Sequence, residues 1–178
     1  MKATGIIRKI DDLGRVVIPM EIRKALRIHT GDPLEIYTSN DGEIIFKKYS
    51  AVNEMAENAA QVADIMYKLA NCPVVIFDRD NVAAAAGVRE KEFIGRRASP
   101  QLEDLMKNQK QYVLNEGGAE KFMPVEGVNK SAVACSPIIS ANDVIGAVAF
   151  LESGTKHVAA TELQRSLIQA SAQLLSLL

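Results

Sequence analysis

The first fifty residues alternate apolar and polar positions with a period of two, and turn signals interrupt the alternation at short intervals. Residues 6–10 predict a strand, Asp11-Asp12-Leu13-Gly14 a turn, and residues 15–18 a second strand. Pro19 cannot continue a central strand but suits the first turn of a helix. A short helix over residues 21–26 is expected next, with Ile22, Ala25 and Leu26 on one face. Gly31-Asp32 turns the chain into a strand over residues 34–37. Asn40-Asp41-Gly42 is a hairpin signal, and residues 43–47 form the returning strand. Four short strands and one helical turn bury little surface. Below roughly 70 residues a single core is marginal, and association is a common remedy. This segment is therefore expected to fold as a dimer.

The period then changes. Over residues 53–71, Met55, Ala59, Val62, Met66 and Leu69 recur at steps of four and three, a coiled-coil-like seam closed by Cys72-Pro73. Residues 74–77 predict an interior strand, residues 78–81 a turn, and residues 82–86 a strand ending at Gly87. Residues 95–100 read as a loop and residues 101–108 as a short helix, with a break at Glu116-Gly117-Gly118. Strands over 132–139 and 144–151 flank a polar turn at Ala141-Asn142-Asp143. The final helix begins near Thr161. It carries one stripe of Leu163, Leu167, Ala170, Leu174 and Leu177, and a second of Ile168 and Leu175. One stripe can cover the chain's own sheet; the other needs a partner, unless both are internal core. The two terminal helices are thus candidates for a helical dimer interface. The pattern gives an α+β chain with a boundary near residues 49–52, hence domains over 1–50 and 53–178.

Composition adds limits. Of 178 residues, 48% are apolar and 24% charged, with no Trp, which is globular usage. No apolar run reaches the roughly 18 residues needed to span a bilayer. Residues 1–5 lead straight into the strand pattern without the apolar core of a signal peptide, so a cytoplasmic protein is expected. Cys72, Cys135, His29 and His157 show no metal-ligand spacing. Both thiols are expected to be buried and inert, and no metal or cofactor is expected beyond a possible small-molecule effector.

Charge is distributed unevenly. The net value is −1, yet residues 1–31 hold seven basic and three acidic residues, or +4, whereas residues 51–178 hold 12 basic and 15 acidic residues, or −3. A basic end on a mildly acidic body fits a nucleic-acid reader. Arg8, Lys9 and Arg15 flank the first turn, and Arg23 and Lys24 sit on the polar side of the short helix. Two copies would gather ten cations able to displace counterions from duplex phosphates, and Arg is suited to guanine edges. The alternative is a solvated surface paired with Asp11, Asp12 and Glu21.

Residues 4–19, from Thr4-Gly5 through Gly14-Arg15-Val16-Val17-Ile18-Pro19, resemble the AbrB family of transition-state regulators. So do residues 21–26, Gly31-Asp32 and residues 34–37. The resemblance implies an N-terminal swapped-hairpin β-barrel made by two interleaved chains. It also implies shape-guided binding to AT-rich or bendable double-stranded DNA, and DNA contacts at Arg8, Arg15 and Arg23. The family commonly has Arg where this chain has Lys24, which keeps the charge but loses the bidentate fork. Residues 53–178 resemble a GAF domain, a sensor-type α/β fold with an antiparallel sheet and terminal helices. Cyclic-nucleotide-binding GAF domains pair Asn-Lys with a later Phe and Asp-Glu. Asn129-Lys130 is present, but Phe150 is followed by Leu151-Glu152, so that activity is not expected. If a ligand pocket exists, residues 93–99 would wall it over Phe77 and Cys135. Phe93 would then line it, and Arg96 and Arg97 would face an anion.

Two other functions compete with a DNA-binding regulator that forms dimers or tetramers. Some GAF domains reduce free methionine sulfoxide with cysteines, but neither Cys72 before a proline nor Cys135 in an apolar run favours a thiolate. Related swapped-hairpin heads serve as antitoxins with disordered tails. The second half here is patterned to fold.

Overall fold

In the computed structural model, residues 4–49, 56–115, 121–154 and 158–177 are described. The chain divides into two compact units, residues 1–49 and 50–178.

The first unit contains one helix, α1 (Met20–Ala25), and one hairpin, β1 (Leu34–Thr38) with β2 (Ile44–Lys48). Ser39 N–H donates to Glu43 C=O at 3.0 Å, and Gly42 N–H donates back to Ser39 C=O at 3.1 Å. Gly42 takes φ +79°, a left-handed conformation natural to glycine. The strands expected over 6–10 and 15–18 are not formed. The turn between them is present: Asp11 N–H donates to Arg15 C=O at 3.0 Å, and Gly14 N–H to Asp11 C=O at 2.9 Å. Among the described residues no backbone ladder continues from this turn along the two segments it joins. The apolar face expected on α1 is likewise uncovered, with Leu26 exposed and no buried residue in the helix. Ile7 is 87% exposed, Leu13 74% and Val17 71%. Among the described residues of this unit only Pro19 is buried. A single copy of the unit has no interior.

The second unit has one. Its antiparallel sheet runs in the order β4-β3-β7-β6-β5 and comprises β3 (Val74–Phe77), β4 (Val82–Ala86), β5 (Tyr112–Val113), β6 (Ala132–Ser140) and β7 (Asp143–Leu151). Helices α2 (Ala56–Ala70) and α5 (Glu162–Ser176) cover one face, where Val74, Ile76, Val148 and Phe150 meet Ala63, Met66 and Ile168. Helices α3 (Glu90–Phe93) and α4 (Pro100–Lys107) and the segment around Phe122 and Val125 cover the other, over Val75, Phe77, Ala147 and Leu151. Burial on both faces explains why these strands read as continuous apolar runs. Alanines at 84 and 86 on β4, and at 59, 63 and 70 on α2, occur in that same buried cluster.

Local chemistry fixes the element ends. Pro73 follows α2, whose last turn closes at Asn71 with φ +51°. Ala141 and Asn142, both at positive φ, make the tight β6–β7 turn. Ser99 caps α4, accepting from Leu102 N–H at 3.2 Å, with Pro100 in the first turn. Thr161 and Gln164 cap α5 reciprocally, at 3.1 and 3.0 Å.

The terminal helices divide their stripes unequally. Ala59, Val62 and Met66 of α2 face the sheet, while Leu69 is exposed and Met55 lies outside the described residues. On α5, Ile168 and Leu175 are buried, and Leu163 (57%), Leu174 (42%) and Leu177 (84%) remain exposed. The short α3 and β5 carry too few residues to announce themselves by period.

Candidate nucleic-acid interface

The reversed turn of the first unit is organised by Asp11. Its Oδ1 accepts from the Leu13 N–H at 3.0 Å and from the Arg15 N–H at 2.8 Å. Its Oδ2 accepts from Arg15 Nε at 2.8 Å. An Asx-type cap of this kind favours Asp at the head of a turn, and Gly14 (φ +73°) supplies the left-handed residue it needs. The Arg15 N–H, and then its guanidinium, hold the Asp11 carboxyl below its usual value. The clamp acts through Nε alone. Both terminal nitrogens of Arg15 are left with no hydrogen bond among the described residues, and the side chain is largely exposed. That is the geometry of an Arg fork presented outward.

The other expected contacts occupy two places. Arg8 and Lys9 are exposed on the strand-like segment before the turn, Arg8 Nη1 donating to Ile7 C=O at 3.1 Å. Arg23 and Lys24 lie in the last turn of α1, where cations suit the helix dipole. Lys24 is exposed. Arg23 is half-buried, and its Nε is enclosed without a hydrogen-bond partner among the described residues. A buried donor left unsatisfied is costly, which marks this contact as incomplete in one copy.

Sequence pattern did not single out Lys48, and it gave Asp32 only as part of a turn. Asp32 accepts from His29 N–H at 2.8 Å and lies 3.5 Å from Lys48 Nζ, which donates to Arg27 C=O at 2.8 Å. This network ties the turn after α1 to β2. Lys47 stacks over Tyr37, 4.5 Å from the ring centroid. Such cross-strand partners leave no signal in linear spacing.

In the second unit Phe77, Phe93 and Cys135 are buried in one apolar cluster. Arg96 and Arg97 do line a space: an open cleft of about 430 Å³ shared with Lys91, Ile94, Gly95, Glu126 and Gly127. Burial raises the Cys72 thiol to about 11 and pushes Cys135 higher still, so neither is a ready nucleophile. Among the described residues no group of His, Cys, Asp and Glu could hold a metal ion, and no helix is long and apolar enough to cross a membrane.

Residues 54–177 match the family model for the C-terminal part of stage V sporulation protein T, a transcription factor. Residues 7–52 match that for antidote-toxin recognition MazE, a bacterial antitoxin. The chain is 45% identical over 150 residues to stage V sporulation protein T of Bacillus subtilis strain 168, covering 83% of each protein. It is 49% identical over 76 residues to the transition state regulatory protein AbrB of the same organism, covering 43% of this chain and 77% of that one. Two solved structures resemble it at low identity. A type II free methionine-R-sulfoxide reductase from Thermoplasma acidophilum matches with a TM-score of 0.52 at 10% identity, covering 70% of this chain and 92% of its own. A GAF domain/HD domain protein from Geobacter sulfurreducens matches at 0.50 and 15%, covering 72% and 91%. These two likenesses concern the fold alone, and they make the second unit GAF-like. With an N-terminal segment akin to AbrB and a family match across most of the remainder, the chain belongs to the stage V sporulation protein T family of transcription factors.

Proposed function

We propose that residues 1–50 are the DNA-binding domain of this transcription factor and that it works as an interlaced dimer. Arg8, Lys9, Arg15, Arg23 and Lys24 contact double-stranded DNA. The single observation that carries this reading is the missing interior of the first unit. Ile7, Leu13 and Val17 stand in solvent beside the cationic turn, and among the described residues the segments on either side of that turn form no strand. A second copy that paired with those segments would bury the apolar side chains and duplicate the outward Arg15 forks. Residues 53–178 are a GAF-like sensor and oligomerisation domain. The exposed leucines of α5 meet a second copy there, so that dimers of heads and dimers of sensors build a tetramer. The protein acts in the cytoplasm, on the nucleoid.

Gel retardation of an AT-rich duplex by the full chain, with native mass spectrometry, tests this. The expected outcome is salt-sensitive retardation by an even-numbered oligomer, abolished in Arg15→Ala while the circular dichroism is unchanged. Retardation undiminished by that substitution, or a monomeric chain, sinks the proposal.

An antitoxin of the MazE kind remains the second reading for the head. The described residues after 56 form a packed α/β unit rather than an unstructured tail, which weighs against it.

A further inference from the structure

The cleft on the second unit is positively charged within a half-chain that is otherwise acidic. Residues 51–178 sum to −3. The cleft's lining has Lys91, Arg96 and Arg97 against Glu126, three positive charges and one negative, or +2. Such a reversal is not what a merely solvated acidic surface would show.

Its floor is rigid. Residues 95–98 read as a loop, yet both sides of the segment are held. Gly95 N–H donates to Val82 C=O at 2.9 Å, Val82 N–H to Arg96 C=O at 2.8 Å, and Ala98 N–H to Asp80 C=O at 2.8 Å. On the other side Glu126 N–H donates to Arg97 C=O at 2.9 Å, and Ala98 bridges Val125. Asp78 fixes the neighbouring corner by accepting from the Asp80 and Asn81 amides at 2.7 and 2.6 Å. Two adjacent arginines therefore stand on a backbone that cannot easily shift.

The side chains are set for an incoming anion. Arg96 Nε donates to Glu92 C=O at 2.9 Å, which orients its guanidinium toward the cleft. Its Nη1 lies 3.5 Å from the place a Cβ on Gly127 would occupy, an ordinary contact distance, and it is the φ of +73° that favours glycine there. The Lys91 and Arg97 side chains form no hydrogen bond or ion pair with the described residues. Ile94 adds an exposed apolar wall. A cleft of about 430 Å³ is of metabolite size, in the range of roughly 300–1,000 Å³ for small-molecule sites.

We infer that this cleft binds a phosphorylated small molecule carrying two or more negative charges, with Arg97 and Lys91 as its direct contacts and Arg96 as the pre-oriented fork. The charge count matches a dianion, and planar guanidinium groups pair with phosphate oxygens in two-point fashion. The inference gives the sensor domain a ligand class and does not depend on how the head reads DNA.

The test uses the full chain carrying Arg15→Ala, so that the head's cations do not dominate, with inorganic pyrophosphate as the probe at physiological salt. Calorimetry should show one pyrophosphate per chain. Arg97→Gln in the same background should weaken it by about tenfold or more, as expected for loss of one charged hydrogen bond, with unchanged thermal unfolding in the absence of ligand. Hydrogen exchange should slow at residues 91–97 and 126–127 on binding. Lys91→Gln, on an exposed side chain, gives a second variant if the first fails to fold. Equal affinity in both variants and the parent, or protection confined to the head, overturns the inference. So does loss of duplex binding in the Arg15-intact Arg97→Gln chain without loss of pyrophosphate, which would assign the cleft to DNA. Failure of the DNA reading itself would show as retardation by Arg15→Ala and leaves these outcomes separate.

Discussion

Asp11 grips Arg15 by its backbone N–H and by its side-chain Nε at the same time, both at 2.8 Å, and leaves the far end of the guanidinium free. Asp11→Ala is therefore predicted to weaken duplex binding several-fold without abolishing it. The cation remains but loses its orientation. Retardation gels of Asp11→Ala beside Arg15→Ala check the order: the parent binds most tightly, Asp11→Ala next, Arg15→Ala least. Equal binding by Asp11→Ala and the parent would remove the clamp from the mechanism.

The same pair sets a pH dependence. The Asp11 carboxyl is depressed, first by the Arg15 amide and then by its guanidinium. A depressed carboxyl contributes order above its unfolded value and loses it as pH falls through the lowered folded value. The clamp should be intact at neutral pH and open only below the ordinary carboxylate range. A carbon-detected titration of Asp11 in the parent and in Arg15→Ala should show its midpoint rise when the arginine is removed.

Gly87 should resist substitution. It sits at φ +72°, and a Cβ there would run into the ring of Tyr67. Gly87→Ala is predicted to destabilise the second unit by about 1–3 kcal/mol, from backbone strain plus the clash. Tyr67 is partly exposed and can swing away, so Tyr67→Ala combined with Gly87→Ala should recover the clash and not the strain. Chemical denaturation of the four proteins of this cycle measures both parts.

On α5 two apolar positions six residues apart, Ile168 and Leu174, should behave oppositely. Ile168 is fully buried and Leu167 only partly so, while Leu174 is exposed. Ile168→Ala should cost roughly 2–5 kcal/mol of stability. Leu174→Glu should leave stability nearly unchanged but lower the oligomer order seen by sedimentation. A Leu174→Glu chain of unaltered mass would place the partner surface elsewhere.

Both thiols should be slow to label. Cys135 is fully buried and Cys72 is raised to about 11, so little thiolate exists at pH 8. Maleimide reaction in native buffer should be far slower than in denaturant. Rapid native labelling of either would reopen redox chemistry.

The second unit was largely legible in its residues because its signals are local. Pro73, Gly87 and Thr161 bracket elements whose pattern is legible, and the strands at 74–77 and 82–86 have the expected bounds. Choosing which stripe of α5 faces inward required the sheet itself. Ile168 and Leu175 differ from Leu167 and Leu174 only by a rotation of the helix, which no linear pattern fixes. In the first unit the alternation at 6–10 and 15–18 is present in the sequence, but a ladder also depends on what each segment packs against, which no linear pattern states. The pocket expectation was half spatial. Arg96 and Arg97 line the cleft, whereas Phe77, Phe93 and Cys135 are buried in one core cluster, and Glu126 with Gly127 arrive from thirty residues downstream.

A head without an interior of its own turns abundance into a signal. With the heads pairing as proposed, chains at low copy number would each carry a folded second unit and an unpaired head, because pairing is second order in their number. Doubling synthesis would then more than double the competent population, and the promoter output would rise steeply over a narrow range of expression.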